Sequence, residues 1–405
     1  MLRRAGAFAA SRHPSPFIPE RTDTETILES KWKKWAEMES YKRYVFSDSQ
    51  TNHYTYQQNR LVLHLFIHDI HASIALQKPP LISFTELKFE LPASRELWLA
   101  KTATSWRDLY LSSQSPSNAP SFIEAMHNPE ALLQHSLRID VQLTTLTLLH
   151  GYWGQIHSLL ESKKFYPTSK ATHRLCLLTT HTELYRDLAS FSAALPSPSH
   201  RTILISHLFM MILQTAPEDL QRFAGKFGED EARKATIEFQ SWVETAEARV
   251  SIWHAGQVLR TAKSLMPAQL RGFNAIAVYY ATLTLWVYGL MSSFSTKSGL
   301  LSVGGKAEGG EVVLNEVESS AIRDFRASGE GLPGLRLVTE GGEEFVSLAA
   351  TDRILGIARE IYQSNYPVRD EGLPPLVENL GNLLRDLSEL PGSRVSRAPT
   401  EAPMY

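Results

Sequence analysis

Three histidines and an aspartate are the residues best spaced for chemistry in this sequence. His64, His68 and His71 stand at i, i+4 and i+7 in LHLFIHDIHAS, with Asp69 beside them. On a helix these positions share one face, a spacing that can bring imidazoles onto one metal ion. His64, His68 and Asp69 are therefore the candidate ligands of an all-α metal-dependent enzyme, which would hold zinc or iron with a further ligand from elsewhere. The metalloprotease pattern places Glu directly after the first His, whereas Leu65 stands there, and no general base is supplied. The competing reading is structural: partly buried histidines bonded to carbonyls or to Asp69.

Other formal motifs fail on context. Gly329-x-Gly331-x-x-Gly334 matches a dinucleotide fingerprint in letters, but AIRDFRAS before it reads as helix and Pro333 sits inside it. The fingerprint needs a strand before and a helix after, so this stretch reads as a turn. Gly305-Lys306 is followed by Ala307, which cannot ligate magnesium as Ser or Thr would. There is no G-x-S-x-G elbow and no Asp-Asp-x-x-Asp run. Cys176 is the single cysteine and lies between leucines in HRLCLLTTH, which predicts a buried, inert thiol. One cysteine cannot make an intrachain disulfide or a multi-cysteine zinc site, and the chain reads as intracellular.

The elements that position these residues are helical. Hydrophobic residues make up 43% of the 405 and charged residues 21%, enough apolar surface for a substantial core. The net charge of −2 excludes a chain that coats nucleic acid by charge alone. Thr22-x-x-Glu25 reads as a capping box before a stripe of Leu28, Trp32, Trp35 and Met38. Helical runs follow at 61–77, 92–110, 140–162, 171–195, 202–215, 217–224, 229–248, 250–265 and 272–292, broken by Pro or Gly. Residues 272–294 carry no charge and are long enough to span a bilayer, but a helix buried on all sides gives the same signal and is the preferred reading.

The expected organisation is a disordered N-terminus over 1–20 and a large all-α domain over 21–295. A flexible Gly/Ser-rich linker covers 296–312, and a C-terminal helical and hairpin segment covers 313–390, ahead of a disordered tail at 391–405. Helices are expected at 313–326 and 350–364, and Gly341-Gly342 closes a hairpin within 335–348. Acidic residues interleaved with apolar ones in EGGEVVLNEVE and EGGEE read as a solvated face.

One set of motifs has family content. WKKWAEMESYKR (Trp32 to Arg43), FIHDIHASIALQKPPLIS (66–83), ELKFELP (86–92) and ELW (96–98) occur in that order. The set resembles the fungal-specific transcription factor regulatory domain, also called the middle homology or xylanolytic activator domain. Its pattern is W-x-x-W-x-x-x-E-x-x-(R/K)-R, a helix ending near Asp, then P-P, an E-L step and L-P-x-x-x-x-x-W. Trp32, Trp35, Glu39, Arg43, Asp69, Pro79, Pro80, Pro92 and Trp98 occupy the motif positions. EDLQRFAGKFGEDEARKA (218–235) and ARVSIWHAGQVLR (248–260) resemble versions of the domain found behind two-Cys, two-His zinc fingers.

The resemblance implies an all-helical, non-enzymatic regulatory domain of a nuclear RNA polymerase II transcription factor, with no catalytic residues to transfer. It would act by protein contact, and a pocket in the helical core would be the place to sense a small ligand. It implies other transcription regulators, or a homo- or heterodimer partner, as partners and no membrane association. DNA would be reached only through a zinc module absent from this chain or through a partner. No cofactor is expected, zinc belonging to that missing module.

The family helix runs on after its R-R end, whereas here YVFSDSQTNHYTYQQN intervenes before Arg60-Leu61. Deleting 44–60 restores the stripe Trp35, Met38, Tyr41, Val62, Leu65, Phe66. The codons available to Arg43-Tyr44-Val45, Thr51-Asn52 and Arg60 can supply a splice donor, branch point and acceptor, so 44–60 reads as a retained intron forming a polar loop.

Overall fold

The structure is a computed structural model that describes residues 17–42, 62–88, 90–113, 120–165, 171–195, 197–297, 310–339, 342–366 and 372–389. The expectations for Arg43, for 44–60, for most of the 296–312 linker and for both chain ends lie outside these residues. The protein is predominantly α-helical and divides into two compact units, the first ending at Thr202 and the second beginning at Ile203.

The first unit holds α1 (Glu25–Lys42), α2 (Val62–Leu76), α3 (Arg95–Trp98), α4 (Ala103–Ser112), α5 (Phe122–His127), α6 (Ala131–Gln134), α7 (Val141–Gly151), α8 (Trp153–Phe165) and α9 (Ala171–Ala194). The stripe on α1 faces inward as its spacing demands. Leu28 and Trp35 are buried with Leu97, Trp106 and Tyr110, and the Trp35 and Trp106 rings lie 5.5 Å apart. The helix starts later than a Thr22-x-x-Glu25 box requires. Glu25 is its first residue, and the Asp23 carboxylate takes the Glu20 N–H and the Lys31 ammonium instead. The 92–110 run splits in two because Ser94 and Thr102 each cap a new helix, accepting from the N–H of Leu97 and of Ser105. α5 and α6 were not foreseen, although Ser121 and Glu124 form a full capping box at the start of α5.

α10 (His200–Gln214) begins in the first unit and continues into the second. The second unit adds α11 (Pro217–Phe223), α12 (Glu229–Trp242), α13 (Ala246–Lys263), α14 (Phe273–Lys297), β1 (Glu311–Val313), α15 (Ser320–Ser328), β2 (Leu332–Thr339), β3 (Gly342–Ser347), α16 (Thr351–Ser364) and α17 (Pro375–Glu389). α14 is the axis, with α11, α12, α13, α16 and α17 packed around it. Its Phe273–Phe294 stretch is long and apolar enough to cross a membrane, and 83% of that window is buried inside the protein. Asn365 just past α16 holds the turn ahead of α14: its amide oxygen accepts the Leu270 N–H and its amide nitrogen donates to the Leu265 and Met266 carbonyls.

The hairpin of β2 and β3 forms with Leu335 opposite Val346, and β1 adds to β2 in parallel. The expectation of a helix over 313–326 is corrected: β1 ends at Val313, and the helix starts only at Ser320, where the Ser319 hydroxyl accepts the Ile322 N–H. Asn315 replaces a ladder residue, its side chain bonding both the N–H and the carbonyl of Arg336. The glycine-rich stretch is a turn. Gly329 ends α15 at φ 86° and Gly331 leads into β2 at φ 116°, so helix precedes strand, the reverse of a dinucleotide loop.

Candidate functional site

Among the motif residues, Trp35 and Glu39 are buried in the first unit. Glu39 is fully buried, and its Oε1 accepts the Ala93 N–H at 2.7 Å, one residue after Pro92. The Pro92 carbonyl in turn accepts the Asp140 N–H, and Ala93 pairs with Ile139. Glu39 thus ties α1 to the segment that launches α3. Replacing Glu39 by Ala leaves the part-buried Ala93 N–H without this acceptor, which costs about 1–3 kcal/mol, and the thermal midpoint should fall accordingly. An unchanged midpoint would show that water serves Ala93 equally well. Trp32 and Trp98 are half-buried against the Trp35 cluster.

The α2 histidines do not gather into a metal site. His64 and His68 are exposed. Asp69 Oδ2 accepts the N–H groups of Leu81 and Ile82, both at 2.8 Å, and so pins the chain just after Pro79-Pro80. Among the described residues no group of three or more His, Cys, Asp or Glu is placed to hold a metal ion. Cys176 is exposed rather than buried, because only the C-terminal half of α9, with Leu184, Leu188 and Phe191, packs inward.

The third histidine of that helix has a partner that local spacing could not reveal. His71 Nε2 lies 2.9 Å from Nε2 of His150, which is fully buried on α7. The His150 Nδ1 is 2.7 Å from the Leu146 carbonyl, which only accepts, so Nδ1 carries the proton. His150 Nε2 is therefore a lone pair, and His71 Nε2–H donates to it. Burial pushes both below the ordinary histidine range, His150 to about 3, with Arg201 adding repulsion. His68 also opposes a proton on His71.

The second unit carries a similar pair. His207 Nδ1 on α10 and His254 Nδ1 on α13 are 2.9 Å apart, which requires one N–H and one lone pair. Burial lowers both, His207 to about 4 with Arg260 nearby, and His254 well below its usual value with His207 and Arg326 adding to the effect. Each pair is a neutral hydrogen bond in a cationic neighbourhood. That arrangement resists protonation and gives neither a nucleophile nor a metal ligand set.

Charged groups elsewhere are consumed by the fold. Arg222 is held by Asp219, Glu231 and Glu238, and Arg336 by Glu311 and Glu316, so much of the acidic stretch after 310 is paired on the sheet. A surface depression is lined by Gln363 at the end of α16 and by Tyr366, Gly372 and Leu373.

Two fungal proteins named transcription factors are similar to this chain. The chain is 24% identical over 369 residues to Transcription factor 1 of Elsinoe fawcettii, matching 83% of this chain and 35% of that protein. It is 24% identical over 349 residues to a protein named as a transcription factor in Zymoseptoria tritici, matching 76% of this chain and 33% of that protein. The chain thus spans about a third of the length of the curated relatives it matches. No family model matches it. No solved structure matches it either.

Proposed function

We propose that this chain is the helical regulatory region of a fungal transcription factor, acting in the nucleus through protein contacts and without catalysis of its own. The observation that carries the reading is similarity across most of the chain to two fungal proteins named transcription factors. The ordered W-x-x-W-x-x-x-E, P-P and L-P motifs support it, since Trp35, Glu39 and Asp69 serve packing and backbone capping, as a scaffold requires. Such a region modulates a DNA-reading module rather than reading DNA. With Cys176 as its single cysteine the chain builds no two-Cys, two-His finger, so zinc and DNA contact belong to another segment or to a partner.

The test is a fusion of the chain to a heterologous DNA-binding module in a fungal host carrying a matched reporter. Reporter transcription should change severalfold relative to the module alone, and a fluorescent fusion of the chain should concentrate in nuclei. An unchanged reporter together with a fusion excluded from nuclei would overturn the reading.

A further inference from the structure

The sheet of the second unit has one covered edge and one open edge. Its strand order is β1–β2–β3, so β1 and β3 lie outermost. α15 packs on β1, and just past β1 the side chains of Asn315 and Gln257 bond nearby main-chain groups. Among the described strands β3 pairs with β2 alone. The phase of that ladder follows from one bond. The Leu348 N–H donates to the Pro333 carbonyl, and in antiparallel pairing bonded pairs alternate with unbonded ones. With Val346 opposite Leu335 and Glu344 opposite Leu337, the main-chain groups of Val346 and Glu344 turn toward β2. Those of Glu343 and Phe345 turn outward, and no main-chain group of a described residue bonds them.

Natural sheets blunt an exposed edge with Lys, Pro, a bulge or a covering element. β3 has neither Lys nor Pro, and its register runs without a bulge from Gly342 to Ser347. Its charged residues are Glu343 and Glu344, both exposed. Arg336 on β2 does not neutralise them: it is bonded to Glu311 at 3.2 Å and Glu316 at 3.1 Å, while Glu343 stands off at 3.9 Å. Strand alternation puts Phe345 on the same face as Glu343, and its ring reaches over Gly334, where a methyl group would collide with it. The edge therefore runs from two acids to an apolar pair, half-buried Phe345 and buried Val346.

We propose that β3 accepts a basic extended segment of another protein as a further strand, with Lys or Arg opposite Glu343 and Glu344 and apolar residues opposite Phe345 and Val346. The outward N–H and C=O groups of Glu343 and Phe345 hold its backbone, and the glutamates select its charge. A second copy is a poor occupant, because it brings Glu343 and Glu344 of both chains to one seam and adds no cation. Nucleic acid is repelled by the same carboxylates. The inference goes beyond the regulator reading and stands apart from it: peptide binding reads this edge, and the reporter fusion can respond with the edge empty.

The experiment uses the full chain and a fluorescein-labelled peptide containing Thr-Val-Ile-Lys-Lys, which in antiparallel pairing runs opposite Ser347 to Glu343. Anisotropy should show binding that weakens as salt rises. Affinity should fall at least about tenfold in the Glu343→Lys, Glu344→Lys variant and in Glu344→Lys alone. Both positions are exposed, and circular dichroism checks the fold. Two backbone-methylated peptides of identical charge and composition separate strand addition from simple charge attraction. Methyl groups on the nitrogens of Ile and the last Lys, which face Phe345 and Glu343, should abolish binding, whereas methyl groups on Val and the first Lys should leave it. Hydrogen exchange over 342–348, read by mass spectrometry, should slow when the peptide is bound. The proposal is overturned by no binding, by equal binding to the charge-reversed variants, by equal binding of the two methylated peptides, by tighter binding of the peptide with Glu for each Lys, or by a concentration-dependent dimer that Glu344→Lys abolishes.

Discussion

Acidification from about pH 7 to pH 5.5 should remove at least about 2 kcal/mol of folding stability, with buried histidines as the cause. His150 and His254 are almost wholly shielded from solvent, and His71 and His207 bond to them. All four have lowered pKa values in the folded chain, His150 about 3 and His207 about 4, whereas the unfolded chain takes up protons near 6.5. In this window the unfolded state binds more protons, so stability rises with pH and falls as pH drops through 6.5. Each histidine kept neutral contributes about 1.2 kcal/mol between the two pH values, and the two deeply buried ones alone give the stated loss. Carboxylates with lowered pKa, such as Asp23, Glu124 and Glu231, act only below this window. Urea unfolding at the two pH values measures the slope. Coincident curves would remove the assignment, and His150→Gln with His254→Gln should flatten the dependence whatever their effect at pH 7.

The histidine pairs also mark where reading from the sequence stops. His71 was visible as the third member of an i, i+4, i+7 set, but its partner lies 79 positions away. A period of 3.6 residues reports which side of a helix faces inward, not which distant residue meets it there. The same holds for Glu39, whose spacing from Trp35 was evident and whose role as acceptor for Ala93 was not. By contrast the uncharged run of α14 and the end of α2 before Pro79 were legible, because composition and a missing N–H act locally.

Flanking apolar residues do not by themselves bury a helix position. Cys176 looked buried because leucines flank it, yet buried leucines need a neighbour, and only from Leu184 onward does α9 have one. α17 shows Val377, Leu380, Leu384 and Leu387 at helical spacing behind a proline at its first position, and all four are buried. That pattern lies in the C-terminal segment, whose sequence also carries an acidic bias. β1 offered little: three residues pair in parallel with β2, too few for alternation to register.

The C-terminal segment is built into the second unit through two helical glycines, and one substitution should expose this sharply. Gly289 lies within α14, and a methyl group there would overlap the Leu348 carbonyl just past β3. Gly256 in α13 meets the Leu314 carbonyl beyond β1 in the same way, and Gln257 beside it donates to the carbonyls of Leu314 and Glu316. In an open helix Gly→Ala stabilises by about 0.5–1 kcal/mol, because alanine surrenders less backbone freedom. Gly381 in α17 has nothing within 4 Å of the added carbon, so Gly381→Ala should follow that rule. At Gly289 the obstacle is main chain, which cannot rotate away as a side-chain tip can, and it is tied to the sheet by the Leu348 N–H to Pro333 carbonyl bond. Gly289→Ala should therefore destabilise by about 1–3 kcal/mol, the range of an overpacked core site, lowering the melting temperature of the second unit by about 2–12 °C. Opposite signs at Gly289 and Gly381 would establish the close helix-to-sheet seat, and a neutral Gly289→Ala would mean that the sheet rides loosely on α14.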